Sequence, residues 1–234
     1  LPRDAARETV NCLENKYHRY PLMAATFDGG FSMKLYYSPG ACSLSPHIVA
    51  CETGVPIDLE KVDLASHKTA DGLDYMSVNP KGYVPALRLD DGSVLTEGPA
   101  IVQYLADQKP ASGLVPAAGS LDRYRVQEWL NFIGTELHKN FSPLFNKASS
   151  DDTKKTARDN IAKRLGYLNE RLANRQYLMG DHFTVADAYA FTIVNWTNFI
   201  GMDIKPYANL SAYMARVGSR PKVQEALKQE GLLK

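Results

Sequence analysis

The stretch Lys34-Leu35-Tyr36-Tyr37-Ser38-Pro39-Gly40-Ala41-Cys42-Ser43-Leu44-Ser45-Pro46-His47 decides how the chain is read. Leu35, Tyr36 and Tyr37 give it the apolar, aromatic opening of a short strand. Ser45 followed by Pro46 suits a helix start, with a side-chain cap and a proline in the first turn. That helix continues from His47 to Thr53, and Gly54 followed by Pro56 ends it. Residues 59–64 read as a second strand. Strand, helix, strand implies a parallel pair joined by a crossover helix. Cys42 lies in the turn that joins the first strand to the helix.

Further along, Pro85-Ala86-Leu87-Arg88-Leu89 and Ser93-Val94-Leu95-Thr96 flank Asp90-Asp91-Gly92, the pattern of a hairpin. Residues 97–108 follow as an amphipathic helix with Ile101, Tyr104 and Leu105 on one side. The order β-α-β then β-β-α is a thioredoxin-like arrangement over residues 33–110. Residues 111–120 are read as a linker, being rich in turn formers. Beyond it no strand signal of comparable strength occurs. Residues 121–146 can hold one long helix, buried along Tyr124, Trp129, Phe132, Ile133 and Leu137. Residues 151–173 can hold another, with Ile161, Leu165, Leu168 and Leu172 at three- and four-residue steps. Thr184-Val185-Ala186-Asp187 is a capping-box pattern with Asp in the place of Glu, and Phe183 with Ala188 or Tyr189 suits a hydrophobic staple. The helix it opens is apolar nearly all round and belongs in the middle of a bundle. The expected fold is therefore α/β plus all-α, a thioredoxin-like N-terminal domain followed by an all-helical domain over residues 121–234.

Residues 1–32 show neither helical nor strand period and are read as a disordered N-terminal extension. Arg3, Arg7 and Arg19 favour a mitochondrial-type presequence, but Asp4, Glu8, Glu14 and Asp28 oppose it. The whole chain has 234 residues and is 44% hydrophobic, enough for a core without disulfides or metals. Its 27 basic and 26 acidic residues leave a net charge of +1, which demands neither nucleic acid nor an anionic membrane. Cys12, Cys42 and Cys51 form no Cys-x-x-Cys pair and no zinc spacing, so a reducing compartment, the cytoplasm, is expected, with no metal.

Cys42 sits where backbone N–H groups and the positive end of a helix dipole favour thiolate over thiol. Ser45 stands at the partner position of a Cys-x-x-Cys pair, so the site is monothiol. The alternative is a small buried filler at a turn, a reading that suits Cys51 better. Val84-Pro85 opens the third strand opposite this turn, and a cis bond there would offer the Val84 backbone to a peptide ligand. Thr96-Glu97-Gly98 opens the next helix, whose N–H groups suit a carboxylate while Glu97 suits an ammonium. The alternative is that Glu97 only complements the helix dipole. Asn131, Thr135 and His138 share one helical face and can wall a cleft.

Met33-Lys34-Leu35-Tyr36-Tyr37-Ser38-Pro39-Gly40-Ala41-Cys42-Ser43, Val78-Asn79-Pro80-Lys81-Gly82-Tyr83-Val84-Pro85-Ala86-Leu87, Leu95-Thr96-Glu97-Gly98, Glu128-Trp129-Leu130-Asn131, Thr135-Glu136-Leu137-His138-Lys139 and Phe183-Thr184-Val185-Ala186-Asp187-Ala188-Tyr189 occur in this order. Together they resemble the beta-class bacterial glutathione S-transferases over essentially all of residues 33–234. The resemblance implies the glutathione S-transferase fold, a homodimer, and conjugation of glutathione to small hydrophobic electrophiles, with no cofactor beyond glutathione as co-substrate. It implies that Cys42 and His138 are the catalytic pair, with Cys42 on the glutathione sulfur. It further implies a glutathione site lined by Tyr37, Val84, Glu97, Gly98, Asn131, Thr135, Glu136, Leu137 and His138. A lysine is expected where His67 stands, and Lys68 is the neighbour that can substitute for it. Two other readings stay open. One is a glutathione-dependent thiol–disulfide oxidoreductase or peroxidase with Cys42 as covalent nucleophile. The other is a non-catalytic ligand- or protein-binding module on the same scaffold.

Overall fold

A computed structural model describes residues 32–233. The extension read over residues 1–32, with Cys12, thus lies outside them apart from Ser32. Five strands, all before residue 97, form one mixed sheet in the order β3-β2-β1-β4-β5. They are β1 (Lys34–Tyr37), β2 (Asp58–Asp63), β3 (Lys68–Thr69), β4 (Ala86–Arg88) and β5 (Val94–Thr96). β1 runs parallel to β2, with Leu35 opposite Leu59, and antiparallel to β4, with Leu35 opposite Leu87. α1 (Leu44–Thr53) crosses between the parallel pair, and α2 (Gly98–Asp107) follows the hairpin. β3 is a two-residue edge that the sequence pattern did not announce.

The start of α1 departs from expectation. Its N-cap is Ser43, not Ser45, and Ser43 makes no side-chain cap bond. The Ser43 hydroxyl is committed to the strand end, accepting from Ser38 N–H at 3.1 Å and donating to Ser38 C=O at 3.3 Å. Ser45 donates back to the Cys42 carbonyl at 2.8 Å. Two hydroxyls therefore tie down the turn on either side of Cys42. At the other end Gly54 takes the left-handed φ of 68° that closes the helix.

The second half is all helix: α3 (Leu121–Phe132), α4 (Lys139–Phe145), α5 (Asp151–Arg171), α6 (Val185–Asn195), α7 (Ala208–Gly218) and α8 (Pro221–Gln229). The single helix expected over 121–146 is one rod with a π-helical segment, Ile133–His138, between α3 and α4. The wide turn falls where the candidate site residues lie, as π segments often do. α6 is buried from Val185 to Val194, which confirms it as the bundle's middle. Its capping box is formed: the Thr184 N–H and hydroxyl both donate to Asp187, at 2.8 and 2.9 Å.

One apolar core runs through both halves, from Leu35 and Ile48 to Ile193 and Leu210. α1 packs on α2, α6 and α8. The Cys42 turn is thus held against the helical half by its own helix. No helix among the described residues is long and apolar enough to cross a membrane.

Candidate functional site

A cavity of about 340 Å³ opens between the sheet-bearing half and the helical half. Its floor is the Cys42 turn. Val84, Pro85, Glu97 and Gly98 wall one side, and Asn131, Thr135, His138 and Tyr189 the other. Seven of the expected residues therefore meet: Cys42, Val84, Glu97, Gly98, Asn131, Thr135 and His138. The Val84–Pro85 bond is cis, the isomer considered from sequence.

Five expected residues do not line it. β1 alternates faces: Tyr36 packs with Tyr75 and Val84, whereas Tyr37 turns its ring to His47 on the α1 side. Leu137 is fully buried in the core, and Glu136 pairs with Arg164. Lys68 is exposed in edge strand β3. His67 holds a left-handed φ of 52°, and its ring lies against Gly82. Its buried Nδ1 has no hydrogen-bond partner among the described residues. The cavity also gains residues that pattern reading missed. Lys139 follows His138 in a quoted motif, and Gly134 lies inside the helix expected over 121–146. Tyr189 was weighed only as a staple, and Tyr83 carried no separate signal.

The protonation of the site reverses the expectation for Cys42. Burial pushes its thiol up to about 12, overwhelming the N–H groups of Cys42 and Ser43 and the charge of Lys139, which act the other way. The side chain is a thiol at neutral pH, and its S–H donates to the Val84 carbonyl at 3.2 Å. His138 is pulled down to about 4 by burial and by neighbouring Lys139, so it is a neutral imidazole. Its Nδ1 lies 2.6 Å from the Tyr189 hydroxyl. Burial holds that phenol far above its ordinary value, so it keeps its proton. A protonated Tyr189 donating to Nδ1 places the imidazole proton on Nε2, which makes His138 a donor there.

Glu97 has a left-handed φ of 72° at the start of α2, a backbone conformation rare and costly for glutamate. It aims the carboxylate at Lys81 Nζ, 2.5 Å away, and at the Tyr83 hydroxyl, 3.1 Å away. The Lys81 hydrogen bond holds the Glu97 carboxyl below its usual range. The Glu97 carboxylate is thus paired with a cation, this chain's own Lys81.

The Cys42 turn is fastened from behind. Glu230, buried just after α8, accepts from Gly40 N–H at 2.9 Å and from His47 Nδ1 at 3.0 Å. His47 Nε2 meets Gln229 Oε1 at 2.6 Å. Both His47 nitrogens are thus hydrogen-bonded, which favours the imidazolium. Burial opposes that charge, but hydrogen bonds with Cys51, Glu230 and Gln229 outweigh it and raise the group to about 10. Trp196 Nε1 donates to the Gly40 carbonyl at 2.8 Å, and the same indole meets the His138 ring edge-on at 4.8 Å. Both backbone groups of Gly40 are therefore held by the helical half.

A monothiol at the first helix of a thioredoxin-like half, closed over by a helical half that supplies an imidazole, defines a two-domain, thiol-handling protein. Two family models match in succession, the glutathione S-transferase N-terminal domain over residues 40–108 and its C-terminal domain over 132–221. The glutathione S-transferase GstA of Escherichia coli O157:H7 is 48% identical over 200 residues, covering 86% of this chain and all of that protein. The structure of a beta-class glutathione S-transferase from Sphingomonas chungbukensis superposes with a TM-score of 0.83 at 49% identity, over 86% of this chain and all of that one. A sphingomonad glutathione S-transferase complexed with glutathione gives 0.83 at 50% identity, with the same coverage. The chain belongs to the glutathione S-transferase family.

Proposed function

We propose that this chain binds glutathione in the Cys42 cavity and conjugates it through its sulfur to small hydrophobic electrophiles, with Cys42 and His138 as hydrogen-bond donors to the reacting thiolate. The observation that carries this is the cavity itself, which brings Cys42, Val84, Glu97 and His138 together. A protonated Cys42 and a neutral His138 face one cavity, so each can donate to a developing sulfur anion without bearing a charge of its own. The α-ammonium of the γ-glutamyl group takes the Lys81 position on Glu97, and its carboxylate takes the N-terminus of α2. The cysteinyl backbone pairs with Val84 as an added strand, its N–H replacing the Cys42 S–H on the Val84 carbonyl and freeing that S–H for the ligand sulfur. The reaction forms a carbon–sulfur bond, breaks the bond to the leaving group, and passes the thiol proton to solvent.

The family relation also supports a homodimer and a cytoplasmic setting. Trp129, Phe132 and Tyr167 form an aromatic cluster beside Arg125, Arg171 and Arg175, between α3 and α5. Tyr167 is 42% exposed there, which suits a face that a second copy covers.

The test is the apparent pKa of bound glutathione, read from the pH dependence of kcat/KM for the electrophile at saturating glutathione. A hydrogen bond to an ionised group is worth about 1.5–3 kcal/mol, so Cys42→Ala should raise that pKa by about one unit or more. Cys42→Ser, which keeps a donor, should restore most of the shift. An unchanged pKa in Cys42→Ala, with disulfide reductase activity abolished, would favour the redox reading, in which Cys42 is the covalent nucleophile.

A further inference from the structure

The helical rod brings two rows of residues to the cavity: Leu130, Gly134 and His138, and beside them Asn131, Thr135 and Lys139. Each row steps by four residues. In a regular α-helix such a step drifts by about 40° round the axis. The π-helical turn Ile133–His138 is wider and takes up that drift. Lys139, the first residue of α4, therefore stays on the cavity face next to His138. With His138 neutral, Lys139 is the cationic side chain on the cavity lining.

That charge has no counterpart in the protein. Lys81 is held by Glu97, but Lys139 pairs with no carboxylate among the described residues. Its side chain is exposed, and its charge is felt by Cys42, His138 and Glu97 together, so the ammonium stands over the groups that face the reacting sulfur. Cys42 stays a thiol all the same. The γ-glutamyl end already has Glu97 for its ammonium and the N-terminus of α2 for its carboxylate. The molecule that meets the sulfur from the helical side is the second substrate.

We propose that Lys139 is a specificity residue, which receives a carboxylate carried by the electrophile and so favours anionic electrophiles over neutral ones of the same shape. This inference rests on the conjugation reading above. With a 2-halocarboxylate, the glutathione sulfur bonds to the carbon that bears the halogen, the carbon–halogen bond breaks, halide leaves, and the thiol proton goes to solvent. The carboxylate is untouched by the reaction. Its place on Lys139 holds the neighbouring carbon against the sulfur.

The test compares chloroacetate with chloroacetamide, near-isosteric and differing in charge, by chloride release at saturating glutathione. The readout is the ratio of their kcat/KM values. It cancels any effect of Lys139 on the sulfur, on Cys42 or on His138, which both electrophiles share. Lys139→Met, a good helix former, should lower the chloroacetate-to-chloroacetamide ratio by about fivefold, the scale of an exposed ion pair. Lys139→Glu should lower it further, and Lys139→Arg should keep most of it. Added salt should lower the ratio of the unsubstituted protein towards that of Lys139→Met. A ratio unchanged in Lys139→Met and Lys139→Glu would overturn the proposal. Equal loss with both electrophiles would overturn it by placing the ammonium on the sulfur. A raised KM for glutathione with an unchanged ratio would overturn it by giving Lys139 to the glycyl carboxylate. No glutathione-dependent turnover of either electrophile by the unsubstituted protein would overturn the conjugation reading itself, and this inference with it.

Discussion

Alkylation of Cys42 in the ligand-free protein should be slow, although the residue stands at a helix N-terminus. At pH 7.5 an ordinary cysteine of pKa about 8.5 is about one-tenth thiolate. With its pKa near 12, Cys42 is thiolate in only about three molecules per hundred thousand, roughly three-thousandfold fewer. A more basic thiolate is the better nucleophile, with a Brønsted slope of about 0.4–0.5, which returns about fortyfold. The net expectation is a rate with iodoacetamide about a hundredfold below that of a free thiol. The rate should keep rising with pH through 10. The assay is peptide mass spectrometry of quenched time points, and Cys51 in the same molecule serves as a second readout. A plateau with a midpoint below pH 8, or labelling as fast as free cysteine, would refute the reasoning. Burial would then have lost to the helix terminus.

Glu230→Ala should leave the His47 imidazolium buried without its carboxylate and Gly40 N–H without an acceptor. Breaking a buried pair costs about 3–5 kcal/mol, and denaturant unfolding measures it. The His47 group is raised in the folded state. Its contribution to stability is therefore complete below pH 6.5 and is lost as pH rises towards 10. The unsubstituted protein should lose stability across that window, and Glu230→Ala should flatten the dependence. Lys81→Met should free Glu97 for an incoming ammonium and lower the KM for glutathione by no more than about fivefold, since the pair is exposed and screened. A higher KM would mean that Lys81 holds the ligand instead of standing in for it.

Much of the fold was legible because its signals are local. Gly54 and Gly92 mark the end of α1 and the β4–β5 turn, and both take positive φ. The capping box at Thr184 placed α6. α7 carried no such mark, since its N-cap residue Tyr207 makes no side-chain cap bond, and α8 is marked only by Pro221 at its start. The site was legible where residues sat at element ends, as with Cys42, Val84 and Glu97. It failed where one position decides a direction. Strand alternation turned Tyr37 away, and Glu136 and Leu137 lie off the face that His138 presents. The Glu230 clamp was illegible for another reason, since 190 residues separate it from Gly40. The thiolate expectation for Cys42 failed because burial, which sequence position does not report, outweighs the helix terminus.

The central claim is that Cys42 donates to the sulfur of bound glutathione in the cavity it floors. Crystals of the reduced protein soaked with glutathione test it most directly. The account predicts the glutathione sulfur within hydrogen-bonding reach of Cys42 Sγ, no disulfide bond between them, and the ligand ammonium on Glu97 with Lys81 displaced. Glutathione seated elsewhere, or a Lys81–Glu97 pair unmoved beside the bound ligand, would contradict it.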